Sequence, residues 1–174
     1  HGMPLSVCGV GSAGPITRDA ELVSPLNVPA WRDFPLRSRL EAITGLPVYG
    51  DGDAKALALA EGWLGAARGT DSFLAMVVST GVGGGIVLNG ELLEGATGNA
   101  GHIGHVVVEP NGRRCVCGGR GCLEADASAQ RTLDELCGIE FARGARVVPA
   151  RLGDQGPLIG AAAVGWRGLN RNGG

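Results

Sequence analysis

The sequence predicts a protein of the α/β class, and three observations support that prediction. The chain has 174 residues, of which 44% are hydrophobic and 18% charged, so it can build an apolar core. Short apolar segments typical of strands alternate with longer segments that have helical spacing. Glycine accounts for 32 residues without the three-residue period of collagen, which indicates many sharp turns or close backbone approaches.

The first part of the chain alternates strand and helix. Residues 5–10 are predicted to form a short buried strand. Residues 35–43 carry apolar side chains at helical spacing, with Pro at the start and Gly beyond the end, and predict a helix. Residues 46–49 predict a strand that leads into the acidic turn 51–53, and the Ala- and Leu-rich residues 54–67 predict a helix.

The second part begins with a strongly apolar segment, residues 73–78, which predicts a strand that ends at a glycine-rich stretch. Residues 86–93 contain Asn89-Gly90 between two apolar runs and predict a hairpin with a type I′ turn. We further predict a strand at 106–108, a helix from about Leu123, a strand at 147–152 and a small-residue helix at 157–169.

Composition excludes several classes of function. A net charge of −2 and an aromatic content of 4% argue against nucleic-acid binding. No apolar run is long enough to span a membrane, and no signal peptide is visible, so we expect no membrane partner. The five cysteines are an odd number, and three lie within eight residues, which favours a metal cluster in a reducing compartment. We therefore expect a cytoplasmic protein.

The clustered cysteines form the most specific motif. Four donors suffice for a closed tetrahedral zinc site, namely His105, Cys115, Cys117 and Cys122. Residues 110–114 are turn-forming and can fold the chain back so that the histidine meets the cysteines. His102 is an alternative fourth ligand. Free buried thiols or a redox pair are the other interpretations of the cysteines.

A second motif is the run Ser-Thr-Gly-Val-Gly-Gly-Gly at residues 79–85, directly after a predicted strand. Backbone N–H groups there can approach phosphate oxygens because no Cβ intervenes, and Ser79 and Thr80 add hydroxyl donors. The run is neither a Walker A loop nor a dinucleotide-binding fingerprint, because a hairpin follows it. A tight turn between strands explains it equally well.

Two carboxylates are candidates for direct roles. Asp53 stands at a strand-to-helix junction, where it can accept a proton from a substrate hydroxyl or can simply cap the helix. Position alone does not separate Asp53 from Asp51. Glu124 follows the last cysteine of the cluster and either binds sugar hydroxyls or lies at the surface.

Two further segments carry a family resemblance. Residues 95–105, Gly-Ala-Thr-Gly-Asn-Ala-Gly-His-Ile-Gly-His, and residues 115–124, Cys-Val-Cys-Gly-Gly-Arg-Gly-Cys-Leu-Glu, closely resemble the signature of the ROK family. That family contains bacterial sugar kinases, including glucokinases, and sugar-responsive repressors. Residues 47–61 and 79–90 look like two more family segments in the right order, so the resemblance covers about residues 7–128.

The resemblance implies an actin-like ATPase (ribonuclease H-like) fold of two α/β lobes, with ATP and sugar in the cleft between them. Residues 1–52 would belong to the N-terminal lobe, and residues 53–174 to a second lobe that carries the zinc loop 102–124. The reaction implied is ATP-dependent phosphorylation of a hexose, with Mg²⁺ as a cofactor. A homodimer is implied by the family alone.

The resemblance also implies roles for individual residues. Asp53 would match the catalytic base that takes the proton from the attacking sugar hydroxyl. Thr80, Gly81 and Gly83 would match the loop near the ATP phosphates, and the loop around Gly14-Pro15 would line the sugar pocket. The positions that match sugar ligands are Gly52, His102, His105 and Glu124. A structural zinc would shape that pocket without taking part in the chemistry.

The chain departs from the family pattern at several positions. Gly52 stands where the family usually has Asn, His102 where it usually has Glu, and Lys55 where a small or amide residue is common. No phosphate loop of the D-x-G-G-T type is present, and the segment 132–147 is short for the family's adenosine pocket. We therefore expect an incomplete form of the fold.

The presence of Asp53, which matches the family's catalytic base, favours a kinase. The alternative is a non-catalytic sugar sensor like the family's repressors.

Overall fold

The computed structural model describes residues 4–78, 81–125 and 148–172, and its first sheet has two parallel strands. Strand β1 (Cys8–Ser12) pairs with strand β2 (Val48–Gly52), so that both strands end at the same edge. A 3-10 turn (Arg18–Ala20) and helix α1 (Leu36–Thr44) lie between the two strands in sequence. Gly45, in the left-handed region at φ 66°, ends α1 and donates its N–H to Glu41, as its place beyond the predicted helix suggested.

The second sheet is antiparallel and follows helix α2 (Asp53–Trp63). Its strands are β3 (Phe73–Val78), β4 (Val82–Leu88) and β5 (Glu91–Leu92). The turn between β4 and β5 has positive φ at both Asn89 and Gly90, as a type I′ turn requires. The predicted hairpin and the strand at 73–78 are therefore confirmed.

Helix α2 packs directly against β4 because glycine faces it from the strand. A Cβ placed on Gly85 would lie 2.5 Å from the Cβ of Ala58 and 2.7 Å from the carbonyl oxygen of Ala54. The alanines of α2 at positions 54, 56, 58 and 60 are all buried. Part of the glycine excess in the sequence is thus explained by the short distance between a helix and a strand.

Helix α3 (Gly156–Asn172) confirms the predicted C-terminal helix and packs against β1, β2 and α2. Small residues make this contact possible. A Cβ on Gly9 of β1 would collide with the carbonyl oxygen of Ala161, and a Cβ on Gly168 would collide with the ring of Tyr49. Helix α3 contacts elements on both sides of residue 52. These contacts do not test the predicted division into lobes at residue 52, which stays a prediction.

Two strand predictions were wrong, and one strand is displaced. Residues 106–108 form a single bridge, Val107 to Cys122, because their neighbour is the tight cysteine loop rather than a second strand. Residues 148–152 are irregular. The first strand begins at Cys8 rather than at residue 5, where the side chain of Leu5 is exposed. Residues 126–147, which include most of the helix predicted from about Leu123, lie outside the described residues.

The irregular segment is held by a buried carboxylate of α2. Glu61 is 3% exposed and accepts hydrogen bonds from the backbone N–H groups of Ala66 (2.6 Å), Arg151 (3.2 Å) and Leu152 (3.0 Å). Burial alone would raise the pKa of Glu61, but these three donors together lower it below its ordinary value. Glu61 therefore fixes the end of α2 to the segment that precedes α3.

We expect Glu61→Gln to destabilise the fold by about 1–3 kcal/mol, because the NH₂ that replaces one carboxylate oxygen cannot accept, so at least one of the three N–H groups loses its acceptor. The stabilisation by Glu61 is present above the unfolded pKa of about 4.3 and is lost as pH falls through its lower folded pKa. Urea unfolding between pH 7 and pH 3 measures both effects. Exposed Glu91→Gln is the control, and equal stability of the two variants at pH 7 would contradict this assignment.

Among the described residues, no helix has both the length and the apolar character needed to cross a bilayer.

Candidate functional site

Asp53 lies where the two parallel strands end, which is the edge at which open α/β sheets bind their ligands. It is the first residue of α2, and Gly52 before it has the N-cap position without a side-chain cap. The Asp53 carboxylate is exposed and accepts one hydrogen bond, from the N–H of Ala54 (2.7 Å). A Cβ on Gly11 would lie 3.6 Å from the Cα of Asp53, which places the end of β1 beside it.

Asp51 has a different environment, because it belongs to a buried charge cluster that we define as Asp51, Lys55, Glu94 and Arg167. The Lys55 Nζ lies 2.6 Å from Asp51 Oδ1 and 2.5 Å from Glu94 Oε2, and it also donates to the carbonyl oxygen of Gly98 (3.1 Å). Arg167 of α3 lies 2.5 Å from Glu94 and 3.6 Å from Asp51. The cluster joins β2, α2, α3 and the loop after β5.

The environment of the charge cluster shifts the pKa values of both of its acids, Asp51 and Glu94. Burial raises the pKa of Asp51, although the charge and hydrogen bond of Lys55 act against this. Burial would also raise the pKa of Glu94, but the hydrogen bonds and charges of Lys55 and Arg167 hold it below its ordinary value. Asp51 is thus engaged with cations, whereas Asp53 presents an exposed carboxylate.

The glycine-rich run reaches the same edge. Thr80 and Ser79 lie outside the described residues, and Gly81 leads directly into β4. A Cβ on Gly83 would lie 3.1 Å from the Cβ of Ala54, so this part of β4 is next to the start of α2 and Asp53. The structure therefore brings Gly83 next to the start of α2, whereas Gly81 lies against Glu124.

Glu124 joins the glycine-rich run to the cysteine loop. Its Oε2 accepts a hydrogen bond from the N–H of Val82 (3.0 Å), and its Oε1 lies 3.8 Å from the Cys115 Sγ. A Cβ on Gly81 would lie 2.6 Å from Oε2, so this carboxylate packs directly against the glycine. Glu124 is thus a half-buried carboxylate with partners in both segments, and its role toward a sugar stays a prediction.

The loop that carries the two histidines rests on β4. Gly101, in the left-handed region at φ 98°, accepts a hydrogen bond from the N–H of Gly84 (2.7 Å), and a Cβ on it would collide with the Gly84 carbonyl oxygen. This contact places the rings of His102 and His105 with their centroids 6.3 Å apart. His105 turns toward the cysteines and His102 toward Gly14, whose Cβ would lie 3.1 Å from His102 Nε2.

The four donors predicted to bind zinc converge. The ligand atoms of His105, Cys115, Cys117 and Cys122 all lie within 4.8 Å of one another. The Sγ of Cys115 is 3.6 Å from His105 Nδ1, and the Sγ atoms of Cys117 and Cys122 are 3.7 Å apart. Tetrahedral zinc with bonds of about 2.0–2.3 Å requires ligand separations of roughly 3.5–3.8 Å. The two closest separations match this geometry and the donor types are those of a zinc site, so the group is consistent with zinc, and His105 rather than His102 is the histidine that lies among the thiols.

The pKa values of two of the thiols are shifted in opposite directions. A hydrogen bond from the backbone of Gly119 is the main cause that lowers the pKa of Cys117, whereas burial raises the pKa of Cys122 to about 12. Because a metal binds the thiolate form, binding at this group releases protons.

The residues and their arrangement agree with comparisons to known proteins. A family model described as the ROK family matches residues 3–140. The chain belongs to the ROK family. Over 123 residues this ROK chain is 50% identical to the glucokinase of Thermotoga maritima, a match that covers 70% of the chain but 38% of that protein. It is also 36% identical over 135 residues to the xylose repressor of Bacillus subtilis, which covers 76% of the chain and 35% of the repressor.

Solved ROK structures share the fold. The ROK hexokinase from Thermus thermophilus superposes with a TM-score of 0.75 at 30% identity, over 94% of this chain and 80% of that one. A ROK glucokinase from Streptomyces griseus, crystallised with glucose and AMPPNP, superposes with a TM-score of 0.67 at 35% identity. The match covers 78% of this chain and 44% of that one. This ROK chain therefore has the actin-like ATPase fold that was predicted, and it spans less than half the length of the curated relatives named above.

Two features of this ROK site were missed by sequence reasoning. The charge cluster was missed because Asp51 lies in β2 and only Lys55 lies in α2, so the four-residue spacing of the pair is not that of two residues on one helix. The side chain of Asn99, which contacts Ile16, gave no signal in the sequence because its partner is 83 residues away.

Proposed function

We propose that the protein carrying this sequence transfers the γ-phosphate of ATP to a hydroxyl of a hexose. The observation that carries this proposal is the convergence of Asp53, the glycine-rich start of β4 and Glu124 beside the His/Cys group. The similarity to glucokinases, one of them crystallised with glucose and AMPPNP, supports the substrate pair.

In the proposed reaction Asp53 accepts the proton of the attacking hydroxyl, which needs an exposed carboxylate at the edge of the sheet. Thr80, Gly81 and Gly83 lie along the ATP phosphates, where backbone N–H groups can approach oxygen closely. Mg²⁺ bound with ATP supplies charge neutralisation of the phosphates. The residues proposed to contact hexose hydroxyls are Gly52, His102, His105 and Glu124.

The His/Cys group is proposed to hold a structural zinc. Zinc at His105, Cys115, Cys117 and Cys122 would close the loop and hold Glu124, whose Oε1 lies beside Cys115. With His105 Nδ1 directed at the thiols, its Nε2 remains for a substrate hydroxyl. The metal thus contributes the shape of the pocket.

We expect about one zinc per chain, removable by a strong chelator with a fall in Tm of about 5 °C or more. Cys117→Ser should abolish zinc binding, because a hydroxyl replaces the thiolate. Elemental analysis and melting curves provide the measurements. Cys8→Ser, a cysteine in β1 outside the group, is the matched control and should retain the metal. Zinc-free wild type that is indifferent to the chelator would rule out the site.

The activity is tested with glucose, N-acetylmannosamine and xylose in the presence of Mg-ATP, by measuring both ADP and sugar phosphate. The similarity to the xylose repressor supports a second candidate, a sugar sensor without catalysis. Calorimetry of each sugar, with and without ATP, separates the two. Sugar binding without any ADP release would favour the sensor and contradict the kinase.

A further inference from the structure

The side chain of Asn99 makes a paired hydrogen bond to the backbone of a distant loop. Its Oδ1 accepts from the N–H of Ile16 (3.2 Å), and its Nδ2 donates to the carbonyl oxygen of the same residue (2.9 Å). A further bond from Nδ2 to the carbonyl oxygen of Thr97 (3.0 Å) holds the amide in this orientation. The loop after β5 is therefore tied to the loop that follows β1.

The backbone of the same residue orients His102. The carbonyl oxygen of Asn99 lies 2.9 Å from His102 Nδ1. Because a carbonyl oxygen can only accept, Nδ1 is the nitrogen that donates, and in this tautomer Nε2 is left as an acceptor. That nitrogen is directed toward Gly14, in the loop that Asn99 holds through Ile16.

We infer that Asn99 is a positioning residue for hexose binding, an inference that rests on the proposed function. Its side chain places the Gly14-Pro15-Ile16 segment, and its carbonyl presents His102 Nε2 as an acceptor opposite that segment. A sugar hydroxyl that lies between this segment and His102 then donates a hydrogen bond to Nε2. The side-chain bonds of Asn99 go to Ile16 and Thr97 and not to the glycine-rich start of β4, so we expect the affinity for ATP to change little when this side chain is replaced.

The test is Asn99→Asp, which preserves size but replaces the Nδ2 donor with an oxygen facing the Ile16 carbonyl oxygen. We expect the KM for the hexose to rise about 10-fold, with kcat and the KM for ATP changed by less than about twofold. Asn27→Asp, at an exposed position, is the charge-matched control and should resemble wild type. A loss of kcat and of both affinities together would show a merely structural role and overturn the inference.

Two measurements keep this test separate from the test of the kinase. Hexose affinity is determined by calorimetry without ATP, and amide hydrogen exchange of Ile16 is measured in Asn99→Ala. We expect weaker hexose binding in Asn99→Asp and faster exchange at Ile16 in Asn99→Ala, because the N–H loses its acceptor. If hexose binds but neither property changes, the role of Asn99 is wrong. If no hexose binds to wild type, the proposed function fails, and this inference fails with it.

Discussion

Asp53→Asn is expected to lower kcat for hexose phosphorylation by about 10²–10⁴-fold, the usual contribution of a general base. An amide cannot take the proton of the attacking hydroxyl at neutral pH. The variant can keep the hydrogen bond from the Ala54 N–H, since the side-chain carbonyl oxygen of Asn accepts equally well. The fold and the affinity for hexose should therefore be little changed, and steady-state kinetics with calorimetry measures the two effects separately.

The control for this variant is Asp154→Asn. Asp154 is also an exposed aspartate in the first turn of a helical segment, the 3-10 turn before α3. It should retain wild-type kcat. If Asp53→Asn retains full activity, Asp53 is not the base, and Asp51 is a poor substitute because Lys55 and Arg167 already contact its carboxylate.

Lys55→Met is expected to destabilise the fold by about 3–5 kcal/mol, because it removes the central cation of the buried charge cluster. The side chain of Lys55 is 4% exposed and contacts both acids of the cluster. Without it, Asp51 and Glu94 share only Arg167 among the cluster's cations, and the pKa of Asp51, already raised by burial, should rise further. Chemical denaturation of the variant measures the loss.

The control is Arg37→Met, which breaks the Arg37–Glu41 pair on α1. That pair has a similar distance, 3.0 Å, but its side chains are 37% and 38% exposed. Exposed pairs four residues apart contribute about 0.3–0.5 kcal/mol, so the control should be nearly neutral.

A double variant keeps the test decisive if Lys55→Met does not fold. Lys55→Met with Glu94→Gln leaves Asp51 with Arg167, and the Arg171 that also contacts Glu94 is 43% exposed and can be solvated, so the double variant should be more stable than the single variant. A single variant as stable as Arg37→Met would show that the cluster contributes little.

Local patterns predicted most of the elements near the site. The hairpin around Asn89-Gly90 follows from turn chemistry, and the cysteine group follows from ligands that are close in sequence. Three of its four ligands lie within eight residues, so little chain has to be ordered for them to meet. These predictions needed no knowledge of the distant packing.

Patterns that depend on a neighbouring element were less informative. The valines at 106–108 have strand propensity, but a strand forms only where a partner supplies its hydrogen bonds, and here the chain meets the cysteine loop. Helix α2 was predicted to reach residue 67 but ends at Trp63, where Glu61 binds the backbone that follows.

The sequence by itself indicated the α/β class, the resemblance to the ROK family and the three cysteines of the metal group, because each depends on residue types at short spacing, whereas the structure placed His105 rather than His102 beside them. Only the tertiary structure distinguishes the environments of Asp51 and Asp53, since Asp51 is buried beside Lys55 and Asp53 is exposed at the edge of the sheet. It also decided the contact of Asn99 with Ile16. Contacts between residues far apart in the chain depend on how the elements pack, and no local pattern encodes them.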